Sequence, residues 1–533
     1  MMEYSKYQLN IFKYIEKQQG NLVVEAVAGS GKTTTIIECT NRIPSNKKIL
    51  VCAFNKAIEQ ELNSRFLGKS NVTVKTLHAI GYKAIYNNKG TLGGKIRLDS
   101  TLLFNFIKDL CYKTPLSTKS DKWKLTLRIN MIIGYIKNTD LREINQQTLQ
   151  NLCDIYGIDF GWDKQSKIEE LNDLLSTTQN MEKRKSINDT IKNIRRNTVF
   201  DPYLIISIIN KVIDWNKRNF CNFDDMLWIP VQHEFKYDKF DYIFIDEVQD
   251  LNKVQMNLLK VIAQEGTRII GVGDSKQAIY GFRGAILNGM DEFKNHFNAQ
   301  LYPLSICYRC PKLLVEYVQK IVPSIEPSPT AELGIFQQID TDNMYSNLKQ
   351  GDLVLCRINS PLLKLLFLLM NKKIKAYIEG MDIGKKIKEK IDSIDSTSLH
   401  EVIATINSEL IVIIEQYERE KSLQNFELLF KLDNKRDFLV MVLEVLNNCT
   451  EYKDYEHLCD TYFCDNKGDG YIRLSSIHKA KGLESDNVYI LHPEKIPHKL
   501  AKQDWEVEQE SNLKYVAYTR ARQKCYEIVD FEE

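Results

Sequence analysis

Residues 23–36, VVEAVAGSGKTTTI, place glycines, a lysine and threonines at the spacing of a phosphate-binding loop. In such a loop the glycines let backbone N–H groups turn onto phosphate oxygens, the lysine reaches the terminal phosphates, and the next hydroxyl binds magnesium. Ala26 stands where the pattern usually has its first glycine, and alanine is tolerated there when its φ is negative. The alternative is a glycine turn followed by a stray lysine. We predict that ATP is bound by Ala28, Gly29, Ser30, Gly31, Lys32, Thr33 and Thr34.

A second stretch, FDYIFIDEVQD at 240–250, is an apolar run that ends in carboxylates. An acid at the end of a strand can hold a metal ion, and a neighbouring acid can act as the base for an attacking water molecule. We predict that Asp246 binds Mg²⁺ together with Thr33, and that Glu247 is the catalytic base. For a lone acidic pair, a helix cap after a buried strand is the alternative. The presence of these two acids together with the phosphate loop favours ATP hydrolysis over the helix cap.

The residues around these stretches predict the elements that position them. NLVVEAVA is a β-branched apolar run and TTTIIECTNRI can open a helix, which gives strand, loop and helix in order. Lys32 and Asp246 are farther apart in sequence than one uninterrupted domain normally places two parts of a sheet. An insertion must therefore separate them.

The pattern of the whole chain predicts two α/β cores, each interrupted by one insertion. Charged and apolar residues alternate at helical spacing within 86–199, and a second helical stretch separates two strand-like runs, QGDLVLCRIN and GYIRLSSI. The predicted limits are 1–85 and 200–293 for the first core, 86–199 for its insertion, 294–384 and 465–533 for the second core, and 385–464 for its smaller insertion.

Composition narrows the class of protein. Hydrophobic residues make up 43% and charged residues 27% of the chain, and no apolar run is long enough for a membrane span, so we expect a soluble protein. The N-terminal stretch has no secretory signal pattern, and the 12 cysteines lack a framework spacing, so we expect reduced thiols and a cytoplasmic location. The net charge is only +2, so a nucleic acid would need a local basic groove.

With DEVQD at 246–250 and GVGDSKQAIYGFRGA at 271–285, the chain resembles the UvrD/Rep family of superfamily 1A DNA helicases. The resemblance implies two RecA-like cores of the P-loop NTPase type. It implies ATP and Mg²⁺ as cofactors, and single-stranded DNA and its junctions with duplex as substrates. It also implies 3′-to-5′ polarity. The abundance of Lys, Asn and Ile is typical of an A/T-rich genome, and thus of a bacterial or viral source.

The resemblance also implies roles around the nucleotide. YQLNIFKYI is similar to the motif whose glutamine reads adenine, here Gln8. LSICYRCP is similar to the motif in which a tyrosine packs on adenine and an arginine acts as a finger, here Tyr308 and Arg309. The segment 472–491 supplies Glu484 near the ribose, and YVAYTRAR supplies Arg520 for the γ-phosphate.

For the DNA, the resemblance points to residues in both cores. Gln277 would sense the γ-phosphate, and the segment that follows it would couple that signal to the grip on single-stranded DNA, because aromatic faces stack on bases of any sequence. The implied DNA contacts are Phe54, Lys56, His78, Tyr280, Phe282, Arg283, His478 and Lys481. The alternatives are core packing for the aromatics, structural hydrogen bonding for the histidines and solvated charge for the lysines.

Two cysteine patterns suggest metal at first sight. CYRC at 307–310 has C-x-x-C form, but no second pair lies nearby, and the cluster at 449–464 lacks ligand spacing. We expect no zinc site.

The sequence therefore predicts an ATP-dependent motor on single-stranded DNA that unwinds duplex with 3′-to-5′ polarity. One alternative is a translocase that strips proteins from DNA. Another is a DNA-stimulated ATPase switch that activates a protein partner, such as a nuclease or a replication or repair factor. RNA is a weaker alternative substrate, because no RNA-binding module stands outside the motor. Neither a membrane partner nor a nuclease centre within the chain is expected.

Overall fold

A computed structural model describes these residues of the chain: 3–17, 20–92, 96, 98–116, 118–162, 164–179, 181–196, 199–220, 222–279, 288–422, 426–465, 467–468, 470–501 and 504–531. The chain forms two compact units. The first comprises Met1–Ala26, Lys32–Ser275 and Tyr280–Leu304, and the second comprises Val27–Gly31, Lys276–Ile279 and Ser305–Glu533. The short segments 27–31 and 276–279 thus belong by their contacts to the second unit.

The strands of the described residues are β1 Asn21–Ala26, β2 Ile49–Ala53, β3 Val72–Thr76, β4 Tyr242–Asp246, β5 Arg268–Gly273, β6 Ala299–Leu304, β7 Ile306–Cys307, β8 Glu326–Pro327, β9 Ile335–Ile339, β10 Leu353–Cys356, β11 Ala376–Glu379, β12 Phe463–Cys464, β13 Ile472–Ser476, β14 Ser485–Leu491 and β15 Ala521–Ile528.

The helices of the described residues are α1 Lys6–Glu16, α2 Lys32–Asn41, α3 Lys56–Arg65, α4 Leu77–Asn87, α5 Ser100–Tyr112, α6 Lys119–Thr139, α7 Gln146–Tyr156, α8 Lys164–Thr177, α9 Met181–Arg196, α10 Pro202–Asn216, α11 Phe223–Gln232, α12 Lys253–Ile262, α13 Gly289–His296, α14 Lys312–Val318, α15 Thr341–Asn347, α16 Ser360–Asn371, α17 Met381–Asp392, α18 Leu399–Ser422, α19 Phe426–Asn447, α20 Asp454–Tyr462 and α21 Asp504–Tyr518. Within the same residues, no helix combines the length and the apolar character that a membrane span requires.

The first unit is built on a parallel sheet with strand order β3-β2-β4-β5-β1-β6. Its inner strands β2, β4 and β5 are fully buried, because helices cover both sides of a parallel sheet, whereas the edge strands β3 and β6 carry exposed residues. Along β1, Val23 packs into one apolar cluster while Leu22 and Val24 pack into the opposite one, which follows from the two-residue period of a strand. The sheet therefore has a core on each face.

The second unit contains a parallel sheet with strand order β12-β11-β13-β10-β14-β15-β9, and β7 pairs with β8 in a separate ladder. Both main sheets order their strands out of sequence and connect them through helices. These are two RecA-like α/β cores, as the sequence predicted.

Helices fill both stretches predicted as insertions, and they pack in different ways. Helices α5, α6 and α7 share a separate apolar cluster with α10, to which Ile205 and Val212 contribute. Helices α17, α18, α19 and α20 pack instead into the same apolar cluster as strands β10, β11 and β13 of the second sheet. The domain limits given above stay predictions.

Candidate functional site

In the part of the first unit that the structure describes, the predicted site residues other than Gln8 lie at or after the carboxyl end of a strand. Lys32 and Thr33 come after β1, Phe54 after β2 and His78 after β3, while Asp246 ends β4. Because all strands of this sheet are parallel, their carboxyl ends lie at one edge. In open α/β sheets, ligands bind at this edge.

The loop between β1 and α2 has the backbone of an anion cradle. Gly29 and Gly31 have positive φ angles of 66° and 81°, a region that glycine enters without steric cost. Lys32 begins α2, so the loop leads into a helix N-terminus, where free N–H groups and the helix dipole favour an anion. The Ser30 hydroxyl oxygen is buried and has no hydrogen-bond partner in the described part of the chain. A phosphate oxygen would satisfy such a group.

Lys32 forms an ion pair with the predicted base. Its Nζ lies 3.0 Å from Oε1 of Glu247. Burial lowers the pKa of the Lys32 ammonium, but the charges of Glu247, Asp274 and Asp246 raise it, and the net pKa is above the usual value. The amine is therefore held in its charged form, which is the form that attracts a phosphate.

Both the backbone and the side chain of Glu247 are held in a defined conformation. Its backbone is left-handed, with φ 55° and ψ 46°, a conformation that costs a non-glycine residue energy and is often found at functional sites. Its Oε2 accepts a hydrogen bond from Nε2 of Gln249, while the Oε1 of that glutamine accepts one from the backbone N–H of Asp274 at 2.9 Å. Gln249 is almost fully buried, with 1% of its surface exposed. It bridges the ends of β4 and β5 and orients the carboxylate.

Gln249 is a residue that the sequence argument missed. It lies inside the DEVQD stretch, two residues after Glu247, so the only signal was a polar side chain shortly after the two acids that follow a buried strand. A second missed residue is Glu25 in β1, whose Oε1 accepts a hydrogen bond of 2.9 Å from the backbone N–H of Ser275. Both tie the loop after β5 to the rest of the edge.

The predicted metal ligands are Thr33 and Asp246. Thr33 is half-buried in the first turn of α2, and Asp246 is buried at the end of β4. Its Oδ1 accepts a hydrogen bond from the backbone N–H of Glu247 at 3.0 Å. Among the described residues, no group of three or more His, Cys, Asp and Glu side chains is placed to hold a metal ion. A hydroxyl and a carboxylate suit a hard cation that also takes oxygen from phosphate, as Mg²⁺ does.

Gln8 lies at the start of α1, away from the strand ends. Its Oε1 accepts from the backbone N–H of Ser5 at 3.0 Å in a capping box, and its Nε2 donates to Oγ1 of Thr35 at 3.2 Å. The amide thus contacts α2, the helix that follows the phosphate loop. Its contact with adenine stays a prediction.

The predicted DNA contacts of the first unit differ in exposure. Phe54 is 41% exposed, as a stacking side chain must be, and Lys56 pairs with Glu59 at 2.9 Å. His78 is half-buried, and burial lowers the pKa of its imidazole although the charge of Asp224 raises it. Tyr280, Phe282 and Arg283 lie outside the described residues. All these contacts stay predictions.

In the second unit, two predicted nucleotide residues pair with each other. Nη2 of Arg309 lies 2.7 Å from Oε2 of Glu484. Tyr308 is 47% exposed, and its backbone N–H donates to the carbonyl of Gly29 at 2.9 Å. The exposed ring is available to a planar ligand, and the arginine is held by a carboxylate that a ligand must displace or accommodate.

Arg520 is deeply buried, with 1% of its surface exposed. Its guanidinium donates to the carbonyl oxygens of Val516 at 2.9 Å and Leu483 at 3.2 Å and to Oγ1 of Thr519 at 3.0 Å. These bonds anchor the arginine at the end of α21. Its contact with a γ-phosphate stays a prediction.

The segment that carries Gln277 is part of the second unit and is hydrogen-bonded within it. Nζ of Lys481 donates to the Gln277 carbonyl at 2.8 Å, and Nδ2 of Asn512 donates to the Ala278 carbonyl at 3.0 Å. Lys481 thus contacts protein, and His478 lies half-buried in the same turn. The structure therefore brings together Lys32 with Glu247, Arg309 with Glu484, and Lys481 with Gln277.

Comparison with known proteins agrees with this arrangement. The UvrD/REP helicase N-terminal domain matches residues 8–298, and the UvrD-like helicase C-terminal domain matches residues 357–529. The ATP-dependent DNA helicase PcrA of Staphylococcus epidermidis is 24% identical over 325 residues, which cover 58% of this chain and 38% of that protein. PcrA of Staphylococcus aureus is 34% identical over 116 residues, 20% of this chain and 16% of that protein.

These matches cover less than half the length of the PcrA proteins. A solved structure of an arterivirus nonstructural protein 10 (helicase) aligns with 98% of this chain and 62% of its own, at 10% identity and a TM-score of 0.32, which is too low to argue from. The two domain matches together span both cores. The chain therefore belongs to the UvrD/Rep helicase family.

Proposed function

We propose that the chain is an ATP-dependent DNA helicase that translocates along single-stranded DNA with 3′-to-5′ polarity, using ATP and Mg²⁺. The observation that carries the proposal is the fixed set of Lys32, Glu247 and Gln249 beside an anion cradle. The family membership supports the DNA substrate. A DNA substrate also supports an intracellular site of action.

The residues present fit the nucleotide and the metal. The positive φ angles of Gly29 and Gly31, the unsatisfied hydroxyl of Ser30 and the cationic Lys32 suit phosphate. Asp246 and Thr33 would hold the metal ion. Bound MgATP would supply a phosphoanhydride bond whose hydrolysis releases free energy.

The ion pair between Lys32 and Glu247 suggests how the base is released. With phosphate in the cradle, Lys32 would be attracted away from Glu247, which frees Oε1 of that carboxylate. Oε2 stays bound to Gln249, so Oε1 is the atom placed to accept a proton from water. The base would thus become available only when the cradle is filled.

The experiment is steady-state ATP hydrolysis with and without single-stranded DNA, in the natural protein and in Lys32→Ala. A matched control is Lys83→Ala, because Lys83 also forms an ion pair, with Asp238 at 2.7 Å, but lies outside the site. We expect DNA-stimulated hydrolysis in the natural protein and in the control, and none in Lys32→Ala. ATP hydrolysis by the natural protein that single-stranded DNA does not stimulate would contradict the proposal.

A further inference from the structure

Two cysteines flank the residues Tyr308 and Arg309. Cys307 ends β7, and Cys310 lies just before α14, which begins at Lys312. Both are free and buried. The backbone N–H of Cys310 donates to Sγ of Cys307 at 3.4 Å, and Sγ of Cys310 lies 3.7 Å from the carbonyl oxygen of Thr519. The Cys307 sulfur therefore lies against the backbone of Cys310, in C-x-x-C spacing.

The two thiols are electrostatically unequal. The hydrogen bond from Cys310 lowers the pKa of Cys307, burial raises it, and backbone N–H groups and the charge of Arg309 lower it further, to about 7. The pKa of Cys310 is raised well above its usual value by the same hydrogen bond and by burial. Burial raises the pKa of Cys52 and of Cys525. Among these thiols, Cys307 is the one that forms a thiolate near neutral pH, and the thiolate is the reactive form.

We propose that Cys307 and Cys310 are a redox modification site that forms a reversible disulfide with a peroxide as oxidant. The Cys307 thiolate attacks one oxygen of hydrogen peroxide, the O–O bond breaks, and hydroxide leaves, which takes up a proton to become water. The Cys310 thiol then attacks the sulfur of the Cys307 sulfenic acid, forms the S–S bond and releases a second water. Two thiols are oxidised and one peroxide is reduced to two waters. Local opening lets this small uncharged oxidant reach buried sulfur.

The disulfide would move the residue between the cysteines. A disulfide requires an S–S distance of about 2.05 Å, which is shorter than any hydrogen-bonded contact between sulfurs. Arg309 has little room to follow, because a Cβ added to Gly29 would lie 2.5 Å from Cβ of Arg309 and 3.2 Å from Sγ of Cys307. The contraction would therefore disturb the pair of Arg309 with Glu484. The expectation that this disturbance lowers ATP hydrolysis rests on the proposed function. Formation of the disulfide itself does not depend on that function.

The test treats the full chain with hydrogen peroxide and maps oxidised cysteines by mass spectrometry, in the natural protein, Cys310→Ser and Cys307→Ser. We expect a Cys307–Cys310 disulfide that dithiothreitol removes. We expect Cys310→Ser to accumulate sulfenic acid at Cys307, trapped by dimedone, and Cys307→Ser to give none at Cys310. Between pH 6 and pH 8 the oxidation rate should rise about tenfold, as the thiolate fraction does around a pKa near 7. Cys52 and Cys525 serve as internal controls and should stay unmodified.

DNA-stimulated ATP hydrolysis is measured on the same samples, with each variant compared with its own untreated state. A drop in the natural protein that dithiothreitol reverses supports the proposal. A folded protein that forms no Cys307–Cys310 disulfide overturns it, as does equal labelling of all cysteines. If the reduced protein hydrolyses no ATP, the proposed function has failed and the disulfide map alone decides this proposal.

Discussion

Replacing Gln249 with leucine should separate the positioning of Glu247 from the integrity of the fold. The substitution keeps the side-chain volume roughly constant, but it removes the hydrogen bond from Nε2 to Glu247 and the acceptor for the Asp274 N–H. A hydrogen bond to a charged group contributes about 1.5–3 kcal/mol, and a buried unsatisfied donor costs about 1–3 kcal/mol. If the lost hydrogen bond to Glu247 stabilises the transition state for hydrolysis, kcat should fall about ten- to hundredfold.

The substitution also leaves the backbone N–H of Asp274 without its acceptor, so we expect the free energy of unfolding to fall by about 1–3 kcal/mol. Gln232→Leu is a matched control, because Nε2 of Gln232 donates to Oδ1 of Asp140 at 2.7 Å, outside the site. Both variants should lose stability in urea titrations, but only Gln249→Leu should lose kcat, with the KM for ATP little changed because Lys32 stays in place. Gln249→Leu with the kcat of the natural protein would refute the positioning role.

Further predictions concern charge at the site and in the second core. Lys32→Ala should lower kcat/KM for ATP by about a thousandfold or more, since it removes the cation of the cradle, and a fluorescent ATP analogue would report the lost affinity. Arg357→Ala should lower the free energy of unfolding by about 3–5 kcal/mol in urea titrations, because it leaves buried Glu510, now 2.6 Å from Nη2 of Arg357, uncompensated. Burial raises the pKa of Glu510, but the hydrogen bond and charge of Arg357, together with the backbone N–H of His498, lower it, so the folded pKa lies below the unfolded one. The pair therefore stabilises the protein above the ordinary glutamate pKa and loses this contribution as pH falls below it, more steeply in the natural protein than in Arg357→Ala. An equal acid dependence in the two would contradict this.

The structural features that depend only on residues close together in sequence were the most predictable. The phosphate loop and the strand before it follow from glycine positions and from a continuous β-branched run, both of which act locally. The end of β4 at Asp246 follows in the same way. The two parallel sheets could be expected because helical stretches separate the strand-like runs.

Contacts between distant residues could not be read from the sequence. The pair of Arg309 with Glu484 joins two motifs whose spacing carries no information on distance. The role of Gln249 depends on the backbone of β5, and the left-handed conformation of Glu247 has no signature in its residue type. The membership of α10 in the helical cluster likewise depends on long-range packing.

The central claim is that the chain unwinds DNA, and strand displacement tests it most directly. A fluorescently labelled strand is released from duplexes that carry a 3′ or a 5′ single-stranded overhang, with ATP and Mg²⁺ present, in the natural protein and in Glu247→Gln. The proposal predicts release from the 3′-overhang duplex by the natural protein only. DNA-stimulated ATP hydrolysis without release from either duplex would contradict it, and release from the 5′-overhang duplex alone would contradict the polarity.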